Sequence, residues 1–362
     1  VTDLTPDEPR APATLDDAIQ ALGELWANRI PTRIVSRPGT TATRSDAVAV
    51  SLGRLDRIVR LDPTNLAVVV EAGVPVARVR SAAETVGLWC PPLRWLPDDL
   101  PIGAAVAGNR GHRSRRYGTV GDHVLGTELV CPAVGRARHG GLAIKNATGY
   151  NLSALVVGSR GRLAVILQIV LRLVPIPRER TVWQFRFPAD MIFPASQMLA
   201  GGWSDDSTVR PLDWGAAAVE VCYDARDRVG CLWLEADGPS IALDRLTERA
   251  ERFGGEALTG DVPSAYPENN QTWWRGSVPP SNVGAAAASV AATLPNGSGS
   301  IRFEATGGAL DISAEPAPLE LKRVLARLTP PAGSVETLRR RLQRAFDPDG
   351  LLATDPLPGS ND

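Results

Sequence analysis

The chain counts 362 residues, 44% of them hydrophobic, with 39 Lys and Arg set against 40 Asp and Glu for a formal net charge of -1. That length and apolar content suffice for a sizeable core, divided into two domains or one large two-lobed unit. A pI near 6.4 supplies no long-range pull toward nucleic acid or anionic lipid, and no apolar stretch approaches the length that crosses a bilayer.

The first periodic segment predicts a helix from about Leu15 to Asn28. Ala18, Ile19, Leu22, Leu25 and Trp26 share one face, and Thr14 with Asp17 three residues on forms an N-terminal capping pattern. Nothing ahead of it has the charged, apolar and small-residue order of a secretory leader, so the expected location is cytoplasmic, or membrane-associated through partners. Brief β-type runs follow at Arg33 to Ser36, Ala47 to Ser51, Ile58 to Leu61 and Ala67 to Glu71. Pro75 suits the first turn of a helix over Val76 to Val86, stopped by Gly87. This order fits an α+β fold better than a doubly wound one. From Leu88 to Gly126 the chain is rich in Gly and Pro, which in a compact protein marks a binding surface more often than an idle linker. Inside it, Arg110, His112, Arg113, Arg115 and Arg116 crowd together as either a solvated loop or a docking, phosphate-facing one.

After Pro175-Ile176-Pro177 the texture changes. Helical patches at Ile241 to Phe253 and Val283 to Leu294 alternate with strands at Ala217 to Tyr223 and Cys231 to Ala236, which predicts a second α+β lobe. A last helix, Val335 to Phe346, stops at Asp347-Pro348-Asp349-Gly350 before a tail expected to fold back on the first lobe. The expected division is residues 1-178, a lobe at 179-330, and a helix and tail at 331-362. Cys90, Cys131, Cys222 and Cys231 lack any Cys-x-x-Cys spacing and read as isolated core thiols rather than ligands of zinc or an iron-sulfur cluster.

Three glycine-bearing stretches carry the chemistry. Arg37-Pro38-Gly39-Thr40-Thr41, between two short strands, can turn backbone N–H groups toward a phosphate or serve as a plain hairpin loop. Ile102-Gly103-Ala104-Ala105-Val106-Ala107-Gly108-Asn109 has side chains small enough for a ligand to lie on the backbone; the alternative is a packed helix start. The third runs from Gly140-Gly141 through Lys145-Asn146 and Gly149-Tyr150 to Leu152. It continues past Gly158-Ser159 and Gly161 into the apolar run Leu163 to Val174. A glycine turn joined in this way to a buried strand brings bare backbone close to a flat, phosphorylated cofactor.

Taken in order, with Tyr117-Gly118, Asp122 and Leu125-Gly126 between the second and third, these stretches resemble the PCMH-type (vanillyl-alcohol-oxidase-like) FAD-binding flavoproteins, and within them the FAD-binding chains of bacterial glycolate oxidase. The resemblance covers roughly residues 12 to 178. In addition, Phe346-Asp347-Pro348-Asp349-Gly350 is similar to the family's C-terminal Phe-Asp-Pro-x-Gly signature. It implies a two-lobed α+β fold, a PCMH-type FAD-binding domain with an α+β cap lobe. It also implies FAD held by Arg37, Pro38, Gly39, Thr40, Thr41, Ile102, Gly103, Ala104, Ala107, Asn109, Tyr117, Gly118, Asp122, Gly141, Lys145, Asn146, Gly149, Tyr150, Val165 and Ile166. The implied reaction is oxidation of a small 2-hydroxy acid such as glycolate, hydride passing from the carbinol carbon to flavin N5. The implied partners are a catalytic flavoprotein subunit and an iron-sulfur subunit, because this chain has no cysteine cluster to carry electrons onward.

The chain departs from the family at named positions. Pro38 stands for Gly and removes an N–H donor; Ala104 and Ala164 each add a methyl where Gly is usual, and Asn151 replaces Asp. His112, His123 and His139 form no paired motif, so no metal site is expected and no catalytic base is assigned. Recognition of a substrate carboxylate is expected of arginine. Trp183 and Trp273-Trp274-Arg275 read as core packing before ring stacking, and Tyr150 as shaping the cofactor site. The departures support a second expectation, a non-catalytic accessory subunit of such a complex with a degenerate flavin pocket.

Overall fold

The structure, a computed structural model, describes residues 10–35, 47–94, 96–109, 116–142, 151–188, 191, 218–225, 228–252, 254–258, 274–277, 282–294, 299–304, 309–313, 324 and 334–352. The fold is mixed α+β. Two compact units divide the chain: one holds Val1–His112, Gly118–Ile176 and Ala332–Asp355, the other Arg113–Tyr117, Pro177–Pro331 and Pro356–Asp362.

The first unit opens with helix α1 (Leu15–Ala27). The Thr14 hydroxyl accepts the Asp17 N–H and the Asp17 carboxylate accepts the Thr14 N–H, both at 3.1 Å, which satisfies donors that a helix start leaves without partners. Its buried face, Ala18, Leu22, Leu25 and Trp26, lies against β1 (Thr32–Val35) and β7 (Gly135–Gly140). Strand β1 pairs in parallel with β2 (Val48–Ser51). The unit's main sheet is built from β3 (Ile58–Asp62), β4 (Ala67–Glu71), β6 (Val124–Cys131), β7 and β8 (Val165–Arg172), in the order β3-β4-β8-β6-β7 with every pair antiparallel. Strand β4 is buried along its whole length, as a valine run between two neighbouring strands should be. Its last residue, Glu71, is a buried carboxylate that accepts the Arg57 N–H at 2.9 Å and the guanidinium Nε and Nη2 at 3.0 and 2.7 Å. Three donors offset the desolvation of that charge.

Helix α2 (Val76–Glu84) has Pro75 as its N-cap rather than in its first turn, and it ends two residues before the expected Val86. A turn then reaches Gly87 at φ +70. A short ladder of β5 (Leu88–Trp89) and β9 (Val174–Pro175) follows. The C-terminal helix, Ser334–Phe346, delivers Asp347, 3% exposed, into a tight clip. The Asp347 carboxylate accepts the N–H groups of Leu351 at 2.7 Å and Leu352 at 2.8 Å. The Leu351 carbonyl in turn accepts the Thr32 N–H at 2.7 Å, and Leu352 bridges to Thr32 in parallel. The Phe-Asp-Pro-x-Gly signature therefore fastens the tail to β1.

The strands of the second unit are β10 (Arg180–Pro188), β11 (Ala218–Asp224), β12 (Val229–Asp237), β13 (Glu256–Ala257), β14 (Trp274–Ser277), β15 (Ser300–Glu304) and β16 (Ala309–Ser313). They form a seven-stranded antiparallel sheet in the order β13-β10-β12-β11-β15-β16-β14. Strand alternation sorts the residues by face. Trp183, Phe185, Val219, Val221, Tyr223, Leu232 and Leu234 join one core with Leu243 and Ala250 of helix Ser240–Arg252 and with Ala286, Ala287 and Val290 of helix Val283–Ala291. Trp183 is core, as its sequence context predicted. Glu220, Trp233, Glu235 and Asp237 fall on the opposite face and are buried there.

Candidate cofactor site

The second glycine stretch folds as helix α3 (Ile102–Ala107), capped by Pro101. Its first amides turn inward: Ile102 N–H donates to the Val74 carbonyl at 2.9 Å and Gly103 N–H to the Ala72 carbonyl at 2.7 Å. A side chain at Gly103 would put its Cβ 2.8 Å from the Ala72 Cβ, so this glycine serves the packing of helix on strand. At the other end, Asn109 adopts φ +44, a left-handed conformation that Asn tolerates. Its side-chain oxygen accepts the Gly121 N–H at 2.9 Å.

The end of α3 is also where the third stretch arrives. Val106 and Ala107, whose carbonyls lie in the last turn, accept the N–H groups of Gly158 at 3.1 Å and Arg160 at 2.8 Å. The turn that makes this contact has Gly158 at φ +75 and Gly161 at φ +79. Helix α4 (Leu152–Val156) leads into it, capped by Asn151, whose Oδ1 accepts the Ala154 N–H at 3.0 Å. Asn caps as well as the family's Asp, so that departure costs the helix nothing. Val165 and Ile166 follow in β8, buried opposite Val130 and Leu129 of β6.

Gly118 and Asp122 form a local turn. The Asp122 carboxylate accepts the Thr119 N–H at 2.7 Å and hydroxyl at 2.8 Å, and a Cβ on Gly118 would sit 2.6 Å from its Oδ2. The Thr119 backbone bond is the main reason the Asp122 carboxyl is held below the usual range, against an opposing contribution from burial. Tyr117 belongs to the second unit. Its phenol donates to the Asp237 carboxylate, which also pairs with Arg116. Burial first, and that bond second, push the phenol above its ordinary range.

Beside these turns, Gly126 and Gly140 oppose each other where β6 and β7 meet. A Cβ on Gly140 would lie 2.1 Å from the Leu125 carbonyl oxygen, and one on Gly126 would lie 2.8 Å from the Gly141 nitrogen. A polar chain unforeseen in the sequence crosses the same region: Thr127 Oγ1 to Ser153 Oγ at 3.0 Å, and Ser153 Oγ to His139 Nδ1 at 3.1 Å. It ties β6 and β7 to α4. Only a strand register that puts Thr127 opposite His139 exposes that link. His123 is a satisfied core residue, fully buried with Nδ1 donating to the Arg172 carbonyl at 3.0 Å.

The fit to FAD can be tested on Ser159 and Gly161. The Ser159 hydroxyl is buried with no hydrogen-bond partner among the described residues, and a Cβ at Gly161 would meet nothing within 4 Å. A lone buried hydroxyl next to side-chain-free backbone suits a polar ligand rich in acceptors, as a dinucleotide is. Arg37, Pro38, Gly39, Thr40 and Thr41, together with Lys145, Asn146, Gly149 and Tyr150, lie outside the described residues. Among the described residues there is no group of three or more His, Cys, Asp and Glu that could hold a metal ion, and no helix is long and apolar enough to cross a membrane.

Comparison with known proteins agrees with this geometry. The FAD binding domain family matches residues 8–141. Over 123 residues the chain is 37% identical to the GlcE subunit of glycolate oxidase from Escherichia coli, covering 33% of this chain and 35% of that protein. Over 275 residues it is 30% identical to the GlcD subunit of glycolate oxidase from Bacillus subtilis, covering 73% of this chain and 58% of that one. The chain thus spans about a third and somewhat over half of the length of these two relatives. In fold it is similar to alkyldihydroxyacetonephosphate synthase, with a TM-score of 0.68 at 12% identity over 96% of this chain and 76% of the other. Together these findings support a PCMH-type FAD-binding protein close to these two glycolate oxidase subunits, with FAD as the cofactor.

Proposed function

We propose that the chain is the FAD-binding subunit of a glycolate oxidase-like 2-hydroxy-acid dehydrogenase, passing electrons from substrate through the flavin to a partner subunit. The observation that carries this reading is the clamp of Gly158 and Arg160 onto the end of α3, because it brings two separate family stretches together beside the buried, unpartnered Ser159 hydroxyl. The relatives whose names specify glycolate oxidase subunits support the substrate class and the subunit role. When bound, FAD supplies the two-electron acceptor for a carbinol carbon. This chain's residues supply the cradle: Ser159 offers a hydroxyl, Gly158 and Gly161 offer bare backbone, and the Thr127–Ser153–His139 chain holds α4 against the sheet. We assign the cradle to residues 1-178, the cap lobe to 179-330 and the returning helix and tail to 331-362. The remaining contacts belong to the residues that the family resemblance nominated. A catalytic flavoprotein subunit and an iron-sulfur subunit are the partners this reading calls for, with a cytoplasmic location, at a membrane only through those partners.

Purification with and without added FAD, followed by absorbance and anaerobic addition of glycolate or D-lactate, tests the reading. A flavin band near one per chain that bleaches with substrate supports it. A protein that stays colourless in excess FAD overturns it in favour of an accessory subunit. That second reading draws on a specific observation: the Gly103 N–H and the Tyr117 hydroxyl, both nominated for the cofactor, are engaged by Ala72 and Asp237. Turnover that appears only on mixing with an iron-sulfur polypeptide supports the subunit role.

A further inference from the structure

Cys222 of β11 and Cys231 of β12 stand directly opposite each other in the antiparallel register. This corrects the expectation of four isolated thiols, and its reason is the hairpin: nine positions of separation close into a cross-strand pair once the chain turns between Asp224 and Val229. Opposed residues of an antiparallel ladder project to the same face, with Cα atoms about 4.5–5.5 Å apart. A disulfide spans Cα separations of about 4.4–6.8 Å. The face is the one turned away from the apolar core, because the alternating neighbours Val221, Tyr223 and Leu232 belong to that core. Both side chains are partly exposed, and neither forms a disulfide in the structure.

The other two cysteines differ on both counts. Cys90 and Cys131 are buried on separate elements of the first unit. Burial pushes the Cys90 thiol up to about 12 and raises that of Cys131 as well. The thiolate is the reactive form, so these two are protected while the hairpin pair is within reach of an oxidant.

We propose that Cys222 and Cys231 form a redox-active dithiol pair in the second unit, which hydrogen peroxide closes to a cross-strand disulfide and a small thiol reopens. One sulfur, as thiolate, attacks a peroxide oxygen; the S–O bond forms, the O–O bond breaks, and the departing hydroxide takes up a proton to leave as water. The second sulfur then attacks the sulfenic sulfur; the S–S bond forms, the S–O bond breaks, and a second water leaves with the remaining thiol proton. Two thiols and one hydrogen peroxide become a disulfide and two waters. A bond held to ladder geometry rather than to relaxed disulfide geometry is readily reduced again.

The test treats the folded full-length chain with hydrogen peroxide, alkylates remaining thiols under denaturing conditions, and digests it with trypsin for mass spectrometry. Arg226 and Arg228 lie between the two cysteines, so trypsin separates them and only a disulfide keeps their peptides joined. The expected result is that linked pair, lost on adding dithiothreitol, with Cys90 and Cys131 fully alkylated. Cys231→Ser should leave Cys222 trapped as a sulfenic acid that dimedone labels. Peroxide that leaves both hairpin thiols alkylatable, oxidises them separately to sulfinic acids, or links either one to Cys90 or Cys131 overturns the proposal.

Discussion

Gly103 and Ala72 meet backbone to backbone: the Gly103 N–H donates to the Ala72 carbonyl at 2.7 Å, and a Cβ on Gly103 would fall 2.9 Å from that same oxygen. Helix α3 can approach β4 this closely only without a side chain there. Gly103→Ala is expected to destabilise the first unit by about 1–3 kcal/mol through overpacking, read as a lowered denaturation midpoint with or without FAD. An unchanged midpoint would show that α3 can shift outward at no cost.

Ser159→Ala separates a cofactor contact from a packing one. Because the Ser159 hydroxyl is buried and finds no protein partner among the described residues, its removal should leave the stability of flavin-free protein unchanged or slightly raised. Retained flavin should fall, with a loss of about 0.5–1.5 kcal/mol in FAD affinity if one hydrogen bond is at stake. Equilibrium dialysis against FAD, beside a melting curve of the apoprotein, reads both.

The turn from Gly118 to Asp122 carries an acid-sensitive contact. The Asp122 carboxyl has its folded value lowered, first by the Thr119 N–H. A lowered carboxyl contributes stability that is complete above its unfolded value, near pH 4, and is lost as pH falls through the folded value. Wild type should therefore lose more stability than Asp122→Asn between pH 4 and more acidic solution, in paired urea titrations. Parallel curves for the two proteins would deny Asp122 this role.

Asp347 holds the tail by two bonds to backbone amides inside a buried site. Asp347→Ala leaves the Leu351 and Leu352 N–H groups without acceptors and is expected to cost on the order of 2–4 kcal/mol. Asp347→Asn keeps one acceptor and should cost less. Hydrogen exchange at Thr32, Leu351 and Leu352 reports whether tail and strand loosen together.

Much of this was legible where local chemistry decides the outcome. The Thr14–Asp17 capping box and the buried valine run of β4 follow from propensity and period alone, and the core position of Trp183 from the packing preference of a large aromatic side chain. The cofactor stretches were legible as positions, and two of their residues also make close contacts within the protein. Gly103 was nominated for the cofactor and packs against Ala72; Asp122 was nominated likewise and closes its own turn on Thr119. What glycine spacing cannot encode is which partner fills the room a missing side chain leaves. Pairings between separate segments were equally hidden: Tyr117 with Asp237, Ser153 with His139, and Cys222 with Cys231 need a spatial arrangement that no single segment contains.

The bond from Thr32 to the Leu351 carbonyl spans 319 positions, and nearly all of the second unit is synthesised between those two residues. During translation β1 must emerge from the ribosome long before the segment that finishes its edge. Such distant closure makes for slow assembly and a prolonged interval of exposed seam. Truncation just before Asp347 should thus yield nascent chains that recruit chaperones, even though all nine strands named in the first unit are already present.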